Sequence, residues 1–155
     1  MIIRSARVKH LNEVYEDLSA VTRGEVRASN ELPFNLIHRM RAHLFRVGAV
    51  SRAVSIGGET LFILSHEPHP YARNTRMTSF IASQAFFDMG AAGVRLGRRY
   101  LETLQRDWPG ITFESHTKSP HPDAARWFTL LGFDIVDKGV YKLASANIDK
   151  AQRLR

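Results

Sequence analysis

The stretch from Pro120 to Phe133, PHPDAARWFTLLGF, leaves the chain little choice of structure. Ala124, Phe128 and Leu131 recur at i, i+4 and i+7 with Trp127 beside them, so one face of a helix is buried. Pro122 and Asp123 suit its first turn. Gly132 suits a left-handed cap that ends it. The helix must therefore stop at Gly132 and feed Phe133 straight into a strand, Phe133-Asp134-Ile135-Val136. The turn Asp137-Lys138-Gly139 joins that strand to another, Val140-Tyr141-Lys142-Leu143. Upstream, Ile111 to His116 alternates like a half-buried strand.

The same signals organise the rest. Residues Ile2 to Arg7 read as a strand. Leu11, Val14, Tyr15 and Leu18 form a helix face, which Gly24 is expected to interrupt. A second helix starts near Pro33, turns Ile37, Met40 and Leu44 inward, and breaks at Gly48. Two strand-like runs, Ala49 to Ile56 and Thr60 to His66, flank Gly57-Gly58, the signal of a tight hairpin. Thr75 to Ala82 is a further strand. A helix then covers Val94 to Gln105 and stops at Trp108-Pro109-Gly110. The order is β, α, α, β, β, β, α, β, α, β, β. It predicts an α/β (α+β) domain over 1–143, with a mixed, mostly antiparallel sheet, helices on both faces, and Phe113 and Ile135 in the core. Residues 144–155 read as a polar, basic tail.

Composition narrows the chemistry. The sequence has no cysteine, which excludes disulfides, cysteine metal sites and a cysteine nucleophile. His66-Glu67-Pro68-His69 is not a metal helix, because Pro68 forbids the helix that such a motif requires; no metal site is expected. No apolar run approaches a membrane span, and the absence of a signal peptide argues for the cytoplasm or a virus particle assembled there. The net charge of +7, mostly arginine, attracts nucleic acid or a phosphate-bearing cofactor. No aromatic-basic strand or nucleic-acid module accompanies it. Nothing in the sequence indicates an oligomeric state.

The ending at Gly132-Phe133 and the element order resemble the GCN5-related N-acetyltransferase (GNAT) superfamily. There a strand is followed by a helix reading N-x-x-A-x-x-x-Y-x-x-x-G-F and then by a hairpin. Ala124 takes the place of the family's alanine, Phe128 that of its tyrosine and His121 that of its asparagine. The chain also resembles, more weakly, small GNAT-like proteins of tailed phages, some of them internal to the virion, which share the ending without the tyrosine.

The resemblance implies acetyl-coenzyme A at a splay between the fourth and fifth strands, and an amine as acceptor. It sets Ile81 and Ala82, at the end of the fourth strand, beside the cofactor, with Phe128 facing it. The family's phosphate loop reads Q/R-x-x-G-x-G/A, whose backbone N–H groups cradle a pyrophosphate at a helix N-terminus. Two frames fit Asp88 to Leu101. One ends at Gly93 and sets Asp88 in the place of Gln/Arg and Ala91 in that of the first glycine. The other ends at Gly97 and sets Ala92 and Arg95 on the other two motif positions. In either frame the pyrophosphate is expected against backbone N–H groups within Gly90 to Gly97, with Arg95 or Arg98 close by, and Gly93→Val is expected to weaken cofactor binding and leave the fold nearly intact. The same small residues suit close packing of a helix on the sheet, and Ser83 suits a cap on a helical turn at Gln84 to Phe87.

Amide formation needs a base for the ammonium proton and usually an acid for the thiolate. The family's tyrosine commonly gives that proton, and Phe128 has none to give. His116, at the end of the fifth strand, and His121, before the last helix, are the base or acid candidates. Glu67 and Glu114 are weaker bases, and Ser79 is placed to direct a hydroxyl at the thioester. Two readings stand at this point: an active N-acetyltransferase, or a GNAT-shaped protein that binds without catalysis.

Overall fold

The computed structural model describes residues 1–29 and 33–144. In chain order the elements are β1 (Ile2–Ser5), α1 (Val8–Glu16), α2 (Ala20–Ala28), α3 (Pro33–Phe45), β2 (Val50–Ile56), β3 (Glu59–Pro68), β4 (Thr75–Ala82), α4 (Gln84–Asp88), α5 (Ala91–Asp107), β5 (Thr112–His116), α6 (Asp123–Leu131), β6 (Asp134–Asp137) and β7 (Val140–Leu143). The seven strands form one sheet in the order β1-β2-β3-β4-β5-β7-β6. The β4–β5 pairing is parallel and the other described pairings are antiparallel. The tail expected over 144–155 lies, beyond Ala144, outside the described residues.

Alternation along the strands splits the core between the two faces. Leu11, Val14, Val26, Leu36 and Met40, from α1, α2 and α3, pack on Ala53, Ile63 and Ile81. On the other face Phe86, Leu96, Tyr100 and Leu104, from α4 and α5, pack on Phe62, Ala82 and Phe113. Gly57 and Gly58 both have positive φ, +61° and +88°, so the β2–β3 turn is the tight kind that needs glycine. Gly132 closes α6 in the left-handed region at φ +97°.

Two expectations differ from the structure. Gly24 does not interrupt a helix but lies inside α2, whose N-cap Ser19 accepts a hydrogen bond from the Thr22 N–H. A Cβ on Gly24 would stand 3.5 Å from Ser119 Oγ, an ordinary contact, so a small side chain would fit there as well. Ile135 is not in the core: β6 is the outer strand of the sheet, and Ile135 is 60% exposed. Phe133, packed edge-on against Phe128 at 5.3 Å, is the buried residue there. The cap read at Ser83 is present: its Oγ accepts from the Phe86 N–H and starts the separate short helix α4, so β4 does not run directly into α5.

Candidate functional site

β4 and β5 pair only over Thr75–Thr78 and Thr112–Ser115. Beyond Thr78 the strands part, while β4 continues to Ala82 along β3. The Ala82 carbonyl accepts from the Ser19 N–H at 3.0 Å, so the α1–α2 junction covers the strand's far end. Backbone groups alternate sides along a strand. Phe80 therefore turns its N–H and C=O the way Ala82 does, into the gap. A backbone donor and acceptor are thus presented at an opening in the sheet, where an extended amide-bearing arm can take the place of the missing strand.

A cleft of about 300 Å³ passes through this opening. Phe80, Trp127 and Phe128 line it on the α5–α6 side, and Met77, Ser79 and His116 line it with Val26, Met40 and Glu67 toward α2 and α3. His116 ends β5 with its side chain half exposed, and its Nε2–H donates to Glu114 Oε1 at 2.5 Å. With Nε2–H so engaged, a neutral ring carries its lone pair on Nδ1. Lys142 Nζ lies 3.2 Å from the other Glu114 oxygen, and His69 Nε2 is 4.0 Å from Oε1. The His116 hydrogen bond is the main reason the Glu114 carboxyl is held below the usual carboxylate range; Lys142 adds to this and burial opposes it. Beyond the C-terminal end of α3, Arg46 Nη1 donates to both oxygens of Glu67 at 3.0 Å.

A second cavity, of about 730 Å³, opens at the first turn of α5. Gly90 is its N-cap, at φ +53°, a conformation that side chains resist. A Cβ there would meet nothing within 4 Å. Gly90, Ala91 and Val94 face this cavity with Arg95 and His121, and α6 adds Arg126. The helix is 17 residues long, so its N-terminal N–H groups and dipole favour an anion. Asp88 and Asp123 line the same cavity; Asp88 Oδ1 is held by Gln84 Nε2 at 2.9 Å. Phe87 and Trp127, with ring centroids 5.0 Å apart, border both cavities and join them into one path.

The structure thus brings Ser79, His116 and Phe128 to the cleft, and Gly90, Arg95 and His121 to the second cavity. Ile81 and Ala82 are fully buried in the core. Ala92 sits in the first turn of α5, its N–H bonded to the Met89 carbonyl. Gly97 lies two turns along α5, where a Cβ would be 2.7 Å from Leu131 Cδ2; its role there is to let α6 pack closely. Arg98 Nε donates to the Leu130 carbonyl at 2.6 Å and so ties α5 to the last turn of α6. Two features of the site carry no expectation from the sequence: Arg126 in the second cavity, and Glu114 as the partner of His116. The second has a signal, since residues i and i+2 of a strand share a face.

Gly93 corrects an expectation. Its Cβ would stand 2.7 Å from the Phe86 carbonyl oxygen and 3.3 Å from Met89 Cβ. Backbone cannot yield as a side-chain tip can. Gly93→Val is therefore expected to cost about 1–3 kcal/mol of folding stability by overpacking, read as a lower urea midpoint. An unchanged midpoint would show that α4 moves aside freely.

Among the described residues no His, Asp and Glu side chains gather as a metal-binding set, and no helix is long and apolar enough to cross a membrane. No protein-family model and no curated protein matches the chain. Solved structures do. Aminoglycoside acetyltransferase AAC(6')-Ib, solved in complex with coenzyme A, is similar at a TM-score of 0.64 and 13% identity, over 97% of this chain and 98% of that one. The GNAT domain of S. lividans PAT is similar at 0.62 and 17%, over 91% and 87%. Aminoglycoside 6'-acetyltransferase type Ii is similar at 0.59 and 14%, over 93% and 97%. At such identities the likeness establishes a shared fold: the chain has the GNAT architecture.

Proposed function

We propose that the protein transfers an acyl group, in the simplest case acetyl, from a coenzyme A thioester to an amine. The observation that carries this reading is the His116–Glu114 pair at one mouth of the β4–β5 gap, with a basic helix N-terminus at the other. The residues present fit the donor. The Phe80 backbone faces the gap for an amide-bearing arm, and the first turn of α5 with Arg95 and Arg126 suits a pyrophosphate. Bound there, the thioester supplies an activated acyl carbon.

His116 then takes a proton from the acceptor's ammonium group, freeing the nitrogen lone pair to form the new C–N bond as the C–S bond breaks, and the nitrogen sheds its second proton to solvent as the amide forms. Glu114 holds the ring so that Nδ1 receives that proton. Phe128 offers no acid where the resemblance sets a tyrosine. A thiol of ordinary acidity, near a pKa of roughly 8.5, leaves as its anion and is protonated by solvent.

Calorimetric titration with coenzyme A tests the donor site. Saturable binding is expected, weakening with salt, and Arg95→Ala with Arg126→Ala should raise the dissociation constant by about tenfold, since charge-assisted contacts are worth roughly 1.5–3 kcal/mol when fully formed and less at an exposed site. No binding would overturn the reading. Polyamines, aminoglycosides and lysine peptides form the acceptor panel. Binding with no transfer to any amine would favour a non-catalytic binding protein.

A further inference from the structure

Where the outer strand β1 leads into α1, a cavity of about 440 Å³ is lined by Arg4, Ser5, Arg7, Lys9 and His10. Arg4, Arg7 and Lys9 are exposed, and none of the three forms an ion pair among the described residues. They also stand at the unfavourable end of a helix. α1 is 9 residues long and its first turn holds no acid, so the positive end of its dipole faces cations rather than anions. Glu13 is the one acid among the charges that act on His10, and its Oε2 is engaged by Thr60 Oγ1 of β3.

The ring of His10 adds a donor to the same place. It is 6% exposed, and its Nδ1 accepts from the Arg7 N–H at 3.0 Å. A neutral ring therefore carries its proton on Nε2. That N–H has no hydrogen-bond partner among the described residues, yet it is not sealed from solvent, and His10 lines the cavity. Burial is the main reason the His10 pKa is lowered; Glu13 opposes it, and Lys9, Arg7 and Arg4 add to it. At neutral pH the ring is thus an uncharged donor. Water can meet such an N–H, but it does nothing for three like charges. One acceptor with more than one negative charge answers both.

We propose that this cavity binds the phosphate group of a small phosphate monoester. The dianion accepts at once from the guanidinium groups, the Lys9 ammonium and the His10 Nε2–H, and such charge-assisted bonds are the strong kind. The cations converge on one cavity, whereas the single charges of a phosphodiester chain call for cations spread along its length. This cavity shares no lining residue with the one at the first turn of α5, and the proposal stands apart from the acyltransferase reading.

The test is an NMR titration followed through the His10 ring signals, assigned by their loss in His10→Asn. It is run near pH 8 at constant ionic strength, where a phosphate monoester is a dianion because its second pKa is about 6. These signals report on this cavity, so an anion held at α5 leaves them still. Methyl phosphate should shift them saturably and chloride should not. Arg4→Gln with Lys9→Gln should raise the dissociation constant by about three- to tenfold, since exposed charged contacts are each weak. Both side chains are exposed, so the melting temperature in chloride should hold. Dimethyl phosphate, a monoanion, should bind at least about threefold more weakly than methyl phosphate.

A shift that chloride reproduces, or a phosphate affinity unchanged in the double variant, would overturn the site. Equal affinity for the two methyl esters would overturn the dianion as its ligand. A short DNA duplex that shifts the His10 signals at a lower phosphate concentration than methyl phosphate does would replace the small molecule with a nucleic-acid backbone.

Discussion

His116→Gln should lower turnover of the accepted amine by about 10²–10⁴-fold, the range a positioned general base supplies, with coenzyme A affinity and melting temperature unchanged. Glutamine keeps an N–H for Glu114 Oε1, so the end of β5 should hold its shape. It has no lone pair of comparable basicity to take a proton. The half-exposed ring of His116 contributes little to the core, so the fold has small stake in it. Glu114, by contrast, is buried and meets His116 and Lys142 at once. If it acts through His116, Glu114→Gln should slow the wild type yet add almost nothing in the His116→Gln background, the mark of two residues that work as a unit. Steady-state kinetics of the four proteins of that cycle decide the matter. Full turnover in folded His116→Gln would pass the base role to another group in the cleft, with Glu67 first in line.

How much of this could be read from the sequence depends on how local each cause is. The face Leu11–Val14–Leu18, the alternation of Thr75 to Ala82 and the stop at Gly132 are properties of neighbouring residues, and the elements they predict are present. Gly24 does not end a helix because a lone glycine costs a helix interior only about 1 kcal/mol, which the Ser19 cap and the burial of Thr22 and Val26 outweigh. Ile135 alternates as a core residue does, but alternation says nothing about which strand ends at the sheet's edge. The small residues of 90–97 posed the hardest case. A glycine that admits a phosphate and a glycine that admits a neighbouring helix look alike in sequence. Only Gly90 combines positive φ with open space, whereas Gly93 and Gly97 face Phe86 and Leu131. The two frames thus mixed a candidate anion site with helix packing. The place of His116 at the end of β5 is legible in the element order, whereas the parting of the strands there is what the resemblance implies.

Folding stability should fall by about 3 kcal/mol between pH 6.5 and pH 4 through one histidine, a large part of the 5–15 kcal/mol typical of a domain. His66 lies on β3 and is 1% exposed. Its Nδ1 accepts from Arg76 Nε at 2.6 Å, so the ring is neutral with its proton on Nε2. That N–H has no partner among the described residues, and the ring stands edge to face with Trp108 and Phe113 at 5.1 and 5.2 Å. Arg76 in turn lies over Trp108 at 4.4 Å and donates to the Gly48 carbonyl at 2.7 Å. Protonating His66 would put a second cation against that guanidinium in an apolar setting. Burial first, and then the charge of Arg76, push its pKa from 6.5 down to about 4. Above pH 6.5 the ring is neutral in both states and contributes no slope. Between pH 6.5 and 4 the unfolded chain binds the proton and the folded one does not, so stability drops as pH falls, by at most about 1.4 kcal/mol per pH unit. His10 and His43, also lowered mainly by burial, act in the same direction; Glu114 joins them below its ordinary range. His66→Asn separates the contributions, because its amide oxygen can still accept from Arg76 but does not titrate. The variant starts less stable at pH 7, with a cavity where the ring stood. Its urea unfolding free energy should then decline with acid less steeply than the wild type's. Parallel pH profiles for the two proteins would show that His66 is not the group that senses acid.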